Sequence, residues 1–438
     1  MQISLIISAL FLSLTLASGV KAQPAILSGA PASPAQVDSL ALTLPEAEAA
    51  FLGTNFALLA ERFNIPAAQA EVVQARLFDN PTISLERNLF NPNNGRFFEH
   101  DEERFQVVGG IEQLVQLGGK RRKAVVYART GVEIAELQFA DLVRTLRYEL
   151  RENLVTLYYR QQTQAMYARQ IAALQRTLTI TQAQYQRGNV PLKEVVRLKS
   201  QLFELESELK DLRNEIAEDQ SELNLLLGSR QPRYLQPVLP AAAPVGLSLS
   251  ALPLRKALET ARTNRPDLRA SVATVRQQKQ NVSLQKSLAV PDLTLGTFYD
   301  HNGAVGLHYT GLTVGMPLPV FNRNQGNVRL AEAQHQGSQQ ALNQQEASVV
   351  NEVTEAYRKA QEAERLSAAF PADYFADADR LLDGVLRSYQ RKAITLLEFL
   401  DFLDSYKTGV IQFNQSRAER LNAFDKLNEQ LGQQVFVY

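Results

Sequence analysis

The chain has 438 residues, with 46 basic and 46 acidic side chains, four histidines, three methionines and neither cysteine nor tryptophan. Zero net charge gives no basic excess for a nucleic-acid partner, so none is expected. The missing thiols exclude disulfides and any lipidated cysteine.

Residues 1–22 read as a secretory signal peptide: an apolar run over 3–17, then small residues and Val20-Lys21-Ala22 just before Gln23. A membrane anchor is the alternative, but the apolar run is short for a spanning helix. Beyond it no run of about eighteen apolar residues follows, so any membrane span has to be a β-barrel. Residues 23–42, rich in Ala, Pro and Ser, read as a flexible leader. A helix is predicted over 45–79, stopped by Asn80-Pro81. Two strands are predicted over 82–90 and 104–115, around the turn cluster Asn91-Pro92-Asn93-Asn94-Gly95. Ile83, Leu85, Arg87 and Leu89 share one face, and Ser84, Glu86 and Asn88 the other. Phe105, Val107 and Ile111 alternate in part with Gln106, Gly110 and Glu112, the weak pattern of a strand between lipid and lumen.

A long helix is predicted over 120–187, broken by Gly188-Asn189-Val190-Pro191 and followed by a return helix to 227. In the return helix Leu198, Leu202, Leu205, Leu209, Leu212 and Ile216 step by four and three, as in a coiled-coil seam. An ordinary helix-bundle core would give the same stripe. A Pro-rich linker, 229–252, separates the halves. The second half repeats the order: a helix over 254–289, strands over 292–300 and 305–316, and a long helix from 326 to about 389. Pro371 is expected to kink that helix. Its return helix carries Leu396, Phe399, Leu403, Tyr406, Val410 and Phe413.

The two halves, 43–228 and 253–438, are a tandem duplication. Pro81-Thr82-Ile83-Ser84-Leu85 recurs as Pro291-Asp292-Leu293-Thr294-Leu295, and Tyr185-Gln186-Arg187-Gly188 recurs as Tyr389-Gln390-Arg391-Lys392. The helix over 120–187 would be about 100 Å long at about 1.5 Å per residue. The two shorter helices of the same copy, stacked end to end, would match it. Four tilted strands cannot close a barrel, since membrane barrels have about eight or more, so the chain has to oligomerise. Three copies would supply twelve strands, although this arithmetic does not itself choose three.

On these residues the chain resembles the TolC-like outer-membrane factors, in particular the branch serving heavy-metal and other resistance-nodulation-division efflux pumps. The paired strand starts at Pro81 and Pro291 carry the resemblance. So do two strand-to-helix exits, Leu114-Val115-Gln116-Leu117-Gly118-Gly119-Lys120 and Pro317-Leu318-Pro319-Val320-Phe321-Asn322-Arg323, and the two helix-turn-helix tips. The resemblance implies a mainly α fold with a small β part: a homotrimer with a shared barrel in outer-membrane lipid of a Gram-negative-type cell and a periplasmic coiled-coil tunnel. It also implies a periplasmic adaptor (membrane fusion) protein at the tips, an inner-membrane efflux pump beyond it, and passive export of metal cations or small toxic compounds. No enzyme activity and no cofactor are implied.

Carried over by position, the acidic tunnel mouth falls on Glu194, Glu398 and Asp401 and the tip aromatic on Tyr389. The adaptor-docking tips fall on Arg187, Gly188, Asn189, Arg391 and Lys392. Two departures stand out: Lys392 occupies the usual tip glycine, and Ile394 stands where some members carry a gate arginine. Arg187, Arg197 or Arg391 are the candidates to replace that latch. Rings of Glu398 and Asp401 would attract cations; solvated coiled-coil flanks are the alternative. Two rival functions share some of these features, a type I secretion duct for polypeptides and a periplasmic coiled-coil adaptor or scaffold. An adaptor would set one hairpin between globular β domains.

His100, His301, His308 and His335 form no i,i+4 pair and have no cysteine or methionine cluster beside them, so no metal centre is expected. Phe97, Phe98, Tyr299 and Tyr309 suit either a membrane-interface girdle or packing within a loop. The chain carries no nucleophile–base pair and no phosphate loop.

Overall fold

In the computed structural model residues 39–92, 95–98, 105–240, 248–303, 305–369 and 374–438 are described. The expected signal peptide, most of the leader, His100 and the kink at Pro371 lie outside them.

The elements run β1 (Ser39–Thr43), α1 (Leu44–Thr54), α2 (Phe56–Glu61), α3 (Asn64–Arg76), β2 (Thr82–Arg87), β3 (Phe90–Asn91), β4 (Arg96–Phe97), β5 (Val107–Val115), α4 (Lys120–Gln186) and α5 (Leu192–Leu226). The second half gives β6 (Tyr234–Val238), α6 (Leu254–Asn264), α7 (Pro266–Leu288), β7 (Leu293–Gly303), β8 (Gly306–Gly315), α8 (Gln325–Ala369), α9 (Tyr374–Gln390) and α10 (Leu396–Leu431). With 67 residues α4 is about 100 Å long.

Both helices expected to lead into strands are broken. At Asn55 the backbone turns extended (φ −63°, ψ 119°), and its side chain caps α2 by accepting from Leu58 N at 2.9 Å. At Arg265 the same conformation recurs (φ −62°, ψ 119°), where Pro266 at the first position of α7 disfavours a helical neighbour. Each break receives the end of a return helix. α5 terminates in Gly228 (φ 63°), where a Cβ would lie 2.1 Å from Thr54 O. α10 terminates in Gly432 (φ 67°), where a Cβ would lie 2.9 Å from the Arg265 backbone. Asn55 donates to Leu226 O at 2.8 Å and Thr54 to Leu227 O at 2.7 Å, satisfying carbonyls that the end of α5 leaves free. Arg265 is buried and held by Asp267 (2.5 Å), Gln430 (2.6 Å) and Glu352 (2.7 Å). The stacked columns are therefore shorter than the arithmetic assumed. Their first segments are separate helices: α1 packs on α4 and β1, and α6 on α8 and α10.

A second correction concerns the leader and the linker. Residues 39–43 pair in parallel with 234–238, Ser39 opposite Tyr234 and Thr43 opposite Val238. Leu42 and Leu235 enter the core, and the buried Gln220 side chain bonds both Leu235 N and Leu235 O at 2.7 Å.

The four main strands form one antiparallel sheet in the order β2-β5-β7-β8. Strand pairing aligns Ile83, Ile111, Thr297 and Leu312 in one row and Leu85, Gly109, Tyr299 and Thr310 in the next. This face is open to the outside, with Ile83, Leu85 and Leu312 each more than three-quarters exposed. The opposite face carries Ser84, Gly110, Phe298 and Gly311 in one row and Thr82, Glu112, Gly296 and Thr313 in another. It is the more crowded side: a Cβ at Gly311 would lie 2.4 Å from the Phe298 ring. No described helix is long and apolar enough to cross a membrane.

The core has two parts. One, around Phe51, Leu150, Leu154, Phe424 and Leu427, lies where the helical breaks meet α4. The other runs toward the tips, where Met166, Leu174, Leu198, Leu205, Phe399 and Leu403 interdigitate. The α10 stripe departs from expectation at its end: Phe413 is only half-buried under Arg417, at 4.8 Å, and Asn414 takes the buried place. There Asn414 donates to Thr163 Oγ1 at 3.0 Å.

Candidate functional site: the tunnel mouth

The two tips have the same backbone. At the first, Gly188 N donates to Tyr185 O (2.9 Å) and Asn189 N to Gln184 O (3.0 Å); at the second, Lys392 N donates to Tyr389 O (2.9 Å) and Ala393 N to Ser388 O (2.9 Å). This helix end needs a left-handed residue, which glycine supplies without strain. Gly188 has φ 76°, and Lys392 adopts it too, at φ 59°, against a steric cost of about 1–2 kcal/mol. The lysine thus keeps the turn and adds a charge. Arg187, Gly188, Asn189, Arg391 and Lys392 are all exposed.

Glu398 is a capping residue. Thr395 N and Oγ1 donate to its Oε2 at 2.7 and 2.8 Å, and Glu398 N donates back to Thr395 Oγ1 at 3.2 Å. The bonds from the Thr395 backbone and then its hydroxyl hold the Glu398 carboxyl below the ordinary glutamate range. Glu194 has the equivalent place in α5, but Pro191 replaces the threonine and offers neither donor. Glu194 is half-buried, and its charge reaches Tyr389 of the other hairpin. Burial pushes the Tyr389 phenol up, a hydrogen bond with Thr181 opposes this, and the charge of Glu194 adds to it. Tyr389 also stacks on Phe399, ring centroids 4.7 Å apart.

Asp401 lies exposed one turn beyond Glu398 on α10. The site residues thus fall in two groups, Glu194 with Tyr389 between hairpins and Glu398 with Asp401 along one helix edge. Arg187, Arg197 and Arg391 make no ion pair among the described residues.

One constellation escaped the sequence reading. Lys407 of α10, 7% exposed, donates to Glu208 of α5 at 2.9 Å, and Tyr167 of α4 donates to the same carboxylate at 3.1 Å. Its only sequence signal is a lysine beside Tyr406 in an otherwise apolar stripe.

At the far end of the sheet His301 and His308 approach across the hairpin, centroids 5.0 Å apart, with Tyr299 OH 2.6 Å from His308 Nδ1. No third ligand joins them: the described residues contain no group of three or more His, Cys, Asp or Glu able to hold a metal. Phe97 packs on Phe90 at 4.9 Å, and Phe98 lies under Arg87 at 5.7 Å, so both join local loop packing.

Amphipathic strands carried at one end of long helices, one of them, α4, about 100 Å long, define the class: a channel-forming membrane protein. The chain belongs to the outer membrane efflux protein family, whose sequence profile matches residues 50–229 and 257–433. It is 23% identical over 293 residues to the cobalt-zinc-cadmium resistance protein CzcC of Cupriavidus metallidurans. That alignment spans 66% of this chain and 65% of CzcC, just under two thirds of the relative. Among solved structures, a membrane protein from Pseudomonas aeruginosa superposes with a TM-score of 0.73 at 17% identity, covering 89% of this chain and 92% of the other. CusC superposes with a TM-score of 0.70, also at 17% identity and with the same coverage. Members of the family are channels, not enzymes.

Proposed function

We propose that three copies of the chain close a twelve-stranded barrel in the outer membrane and a helical tunnel below it in the periplasm. The duct passes cargo delivered by an inner-membrane pump through a periplasmic adaptor. One observation carries this reading: a single four-stranded sheet with an apolar outer face and two edges, β2 and β8, that pair with nothing among the described residues. In hydrocarbon an unpaired edge is prohibitive, so β8 of one chain meets β2 of the next. Metal cations are the cargo class. Support comes from the resistance named for CzcC and from the ionised Glu398, with Asp401 beside it, at the mouth. Arg187, Gly188, Asn189, Arg391 and Lys392 are the surface that meets the adaptor.

The test is fractionation followed by electrophoresis with and without heating. Expected is an outer-membrane species that migrates near three times the monomer mass unheated and as a monomer after boiling. Recovery as a soluble periplasmic monomer would sink the proposal.

A further inference from the structure

We infer that the resting tunnel is held shut within its wall, by Lys407 and Tyr167 gripping Glu208, and not by charges at the mouth. The inference rests on the duct reading above and assigns its latch.

The mouth offers little to hold the hairpins together by charge. Glu398 Oε2 is engaged by Thr395 of its own helix, Asp401 is exposed, and Arg187, Arg391 and Lys392 point no ion pair at the other hairpin among the described residues. Ile394 is half-buried and apolar. About 13 Å further along α10 the situation reverses. Lys407 is buried on α10 among Leu403, Tyr406 and Val410, members of the apolar cluster that also holds Leu205 and Leu209 of α5. It donates to Glu208 Oε1 at 2.9 Å and touches Asp404, one turn back, at 3.3 Å. Glu208 Oε2 accepts from Tyr167 OH. One carboxylate therefore joins α4, α5 and α10, which belong to both hairpins.

The same seam is polar at regular intervals. Thr156, Thr163 and Gln170 lie seven residues apart on α4, and each meets α10: Thr156 Oγ1 accepts from Asn422 (3.2 Å), Thr163 Oγ1 accepts from Asn414 (3.0 Å), and Gln170 donates to Leu403 O (2.8 Å). Inside the first hairpin the return helix presents mostly leucine, Leu198, Leu205 and Leu209, with Tyr167–Glu208 and Arg160–Asp219 as its polar links to α4. Leucine seams lose apolar burial when they part, whereas directional bonds can be exchanged one by one for water. A buried ion pair adds little net stability over an apolar one, yet separating its partners without solvent is costly. Here Lys407 is the buried partner, while 35% of the Glu208 side chain is exposed. Parting them strands the ammonium in the seam until water enters, which favours two discrete states, paired or parted and wet.

The experiment records purified full-length protein in planar bilayers. Lys407→Glu and Glu208→Lys each raise the open fraction about tenfold or more, and the double swap returns it toward wild type. Tyr167→Phe, which removes one hydroxyl, gives a smaller rise and carries the test alone if a charge swap does not assemble. Unchanged open fractions in the variants that assemble, or a double swap as open as the singles, would overturn the latch. Absence of the wild-type protein from the outer membrane would instead overturn the duct.

Discussion

Glu398 illustrates how one carboxylate can fix a helix end and keep its charge in doing so. Its Oε2 accepts two bonds from Thr395, which fix the first turn of α10. Those bonds also favour the ionised form, so the residue keeps its charge to lower pH than a free glutamate. The sign follows from the depressed pKa. The contribution to folding is complete above the unfolded value and is lost as pH falls through the folded one. Thr395→Ala is expected to raise the Glu398 pKa and to speed amide exchange over residues 396–399, read by hydrogen–deuterium exchange. Acidifying the wild type through the lowered Glu398 pKa should reduce the protection of the same amides, measured against their intrinsic exchange rates at each pH. Equal exchange in the two proteins would mean that the cap does not hold the turn. The Thr395-x-x-Glu398 pattern was readable as a capping box, but reading the carboxylate by charge alone passed over it. The left-handed Lys392 was not readable in that way, because only the repeat of a turn built on Gly188 places it there.

At the scale of elements, the two joints decide how long the tunnel columns are. Gly228 and Gly432 are both left-handed and both pressed against backbone, at Thr54 and Arg265. Gly228→Ala and Gly432→Ala combine backbone strain with overpacking, and each should cost about 2–4 kcal/mol in thermal unfolding followed by circular dichroism. Gly53→Ala is the control: it lies within α1 with nothing within 4 Å of its missing Cβ, and should gain up to about 1 kcal/mol. A loss no larger at the joints than at Gly53 would remove them as a stacking device. The long helices and their tips were legible because helical periodicity is strong and the Gly and Pro stops are local. The break at Asn55 was not, since Ala- and Leu-rich helix formers flank it and its cause is the distant end of α5. Strands β1 and β6 were hidden for a similar reason. Each is five residues of unremarkable composition, and its partner is far away in sequence.

On the scale of the whole molecule, the open sheet turns an oligomer into a geometric requirement that can be tested covalently. β2 and β8 are separated by β5 and β7, which puts the two edges about 14 Å apart within one chain. A disulfide needs Cα atoms within about 7 Å, so cysteines on the two edges cannot join inside a protomer. The chain has no cysteine of its own, so every bond formed would be an introduced one. Leu85→Cys combined in turn with Thr310→Cys, Leu312→Cys or Val314→Cys samples the registers at which β8 could meet a neighbouring β2. For at least one pair, oxidation of outer membranes should convert the monomer to a band at three times its mass, with a dimer as intermediate and nothing larger. A ladder continuing past three would mean that the edges pair without closing, and monomer alone in every pair would mean that they do not meet. Only a ladder that stops at three makes the chain one third of a barrel.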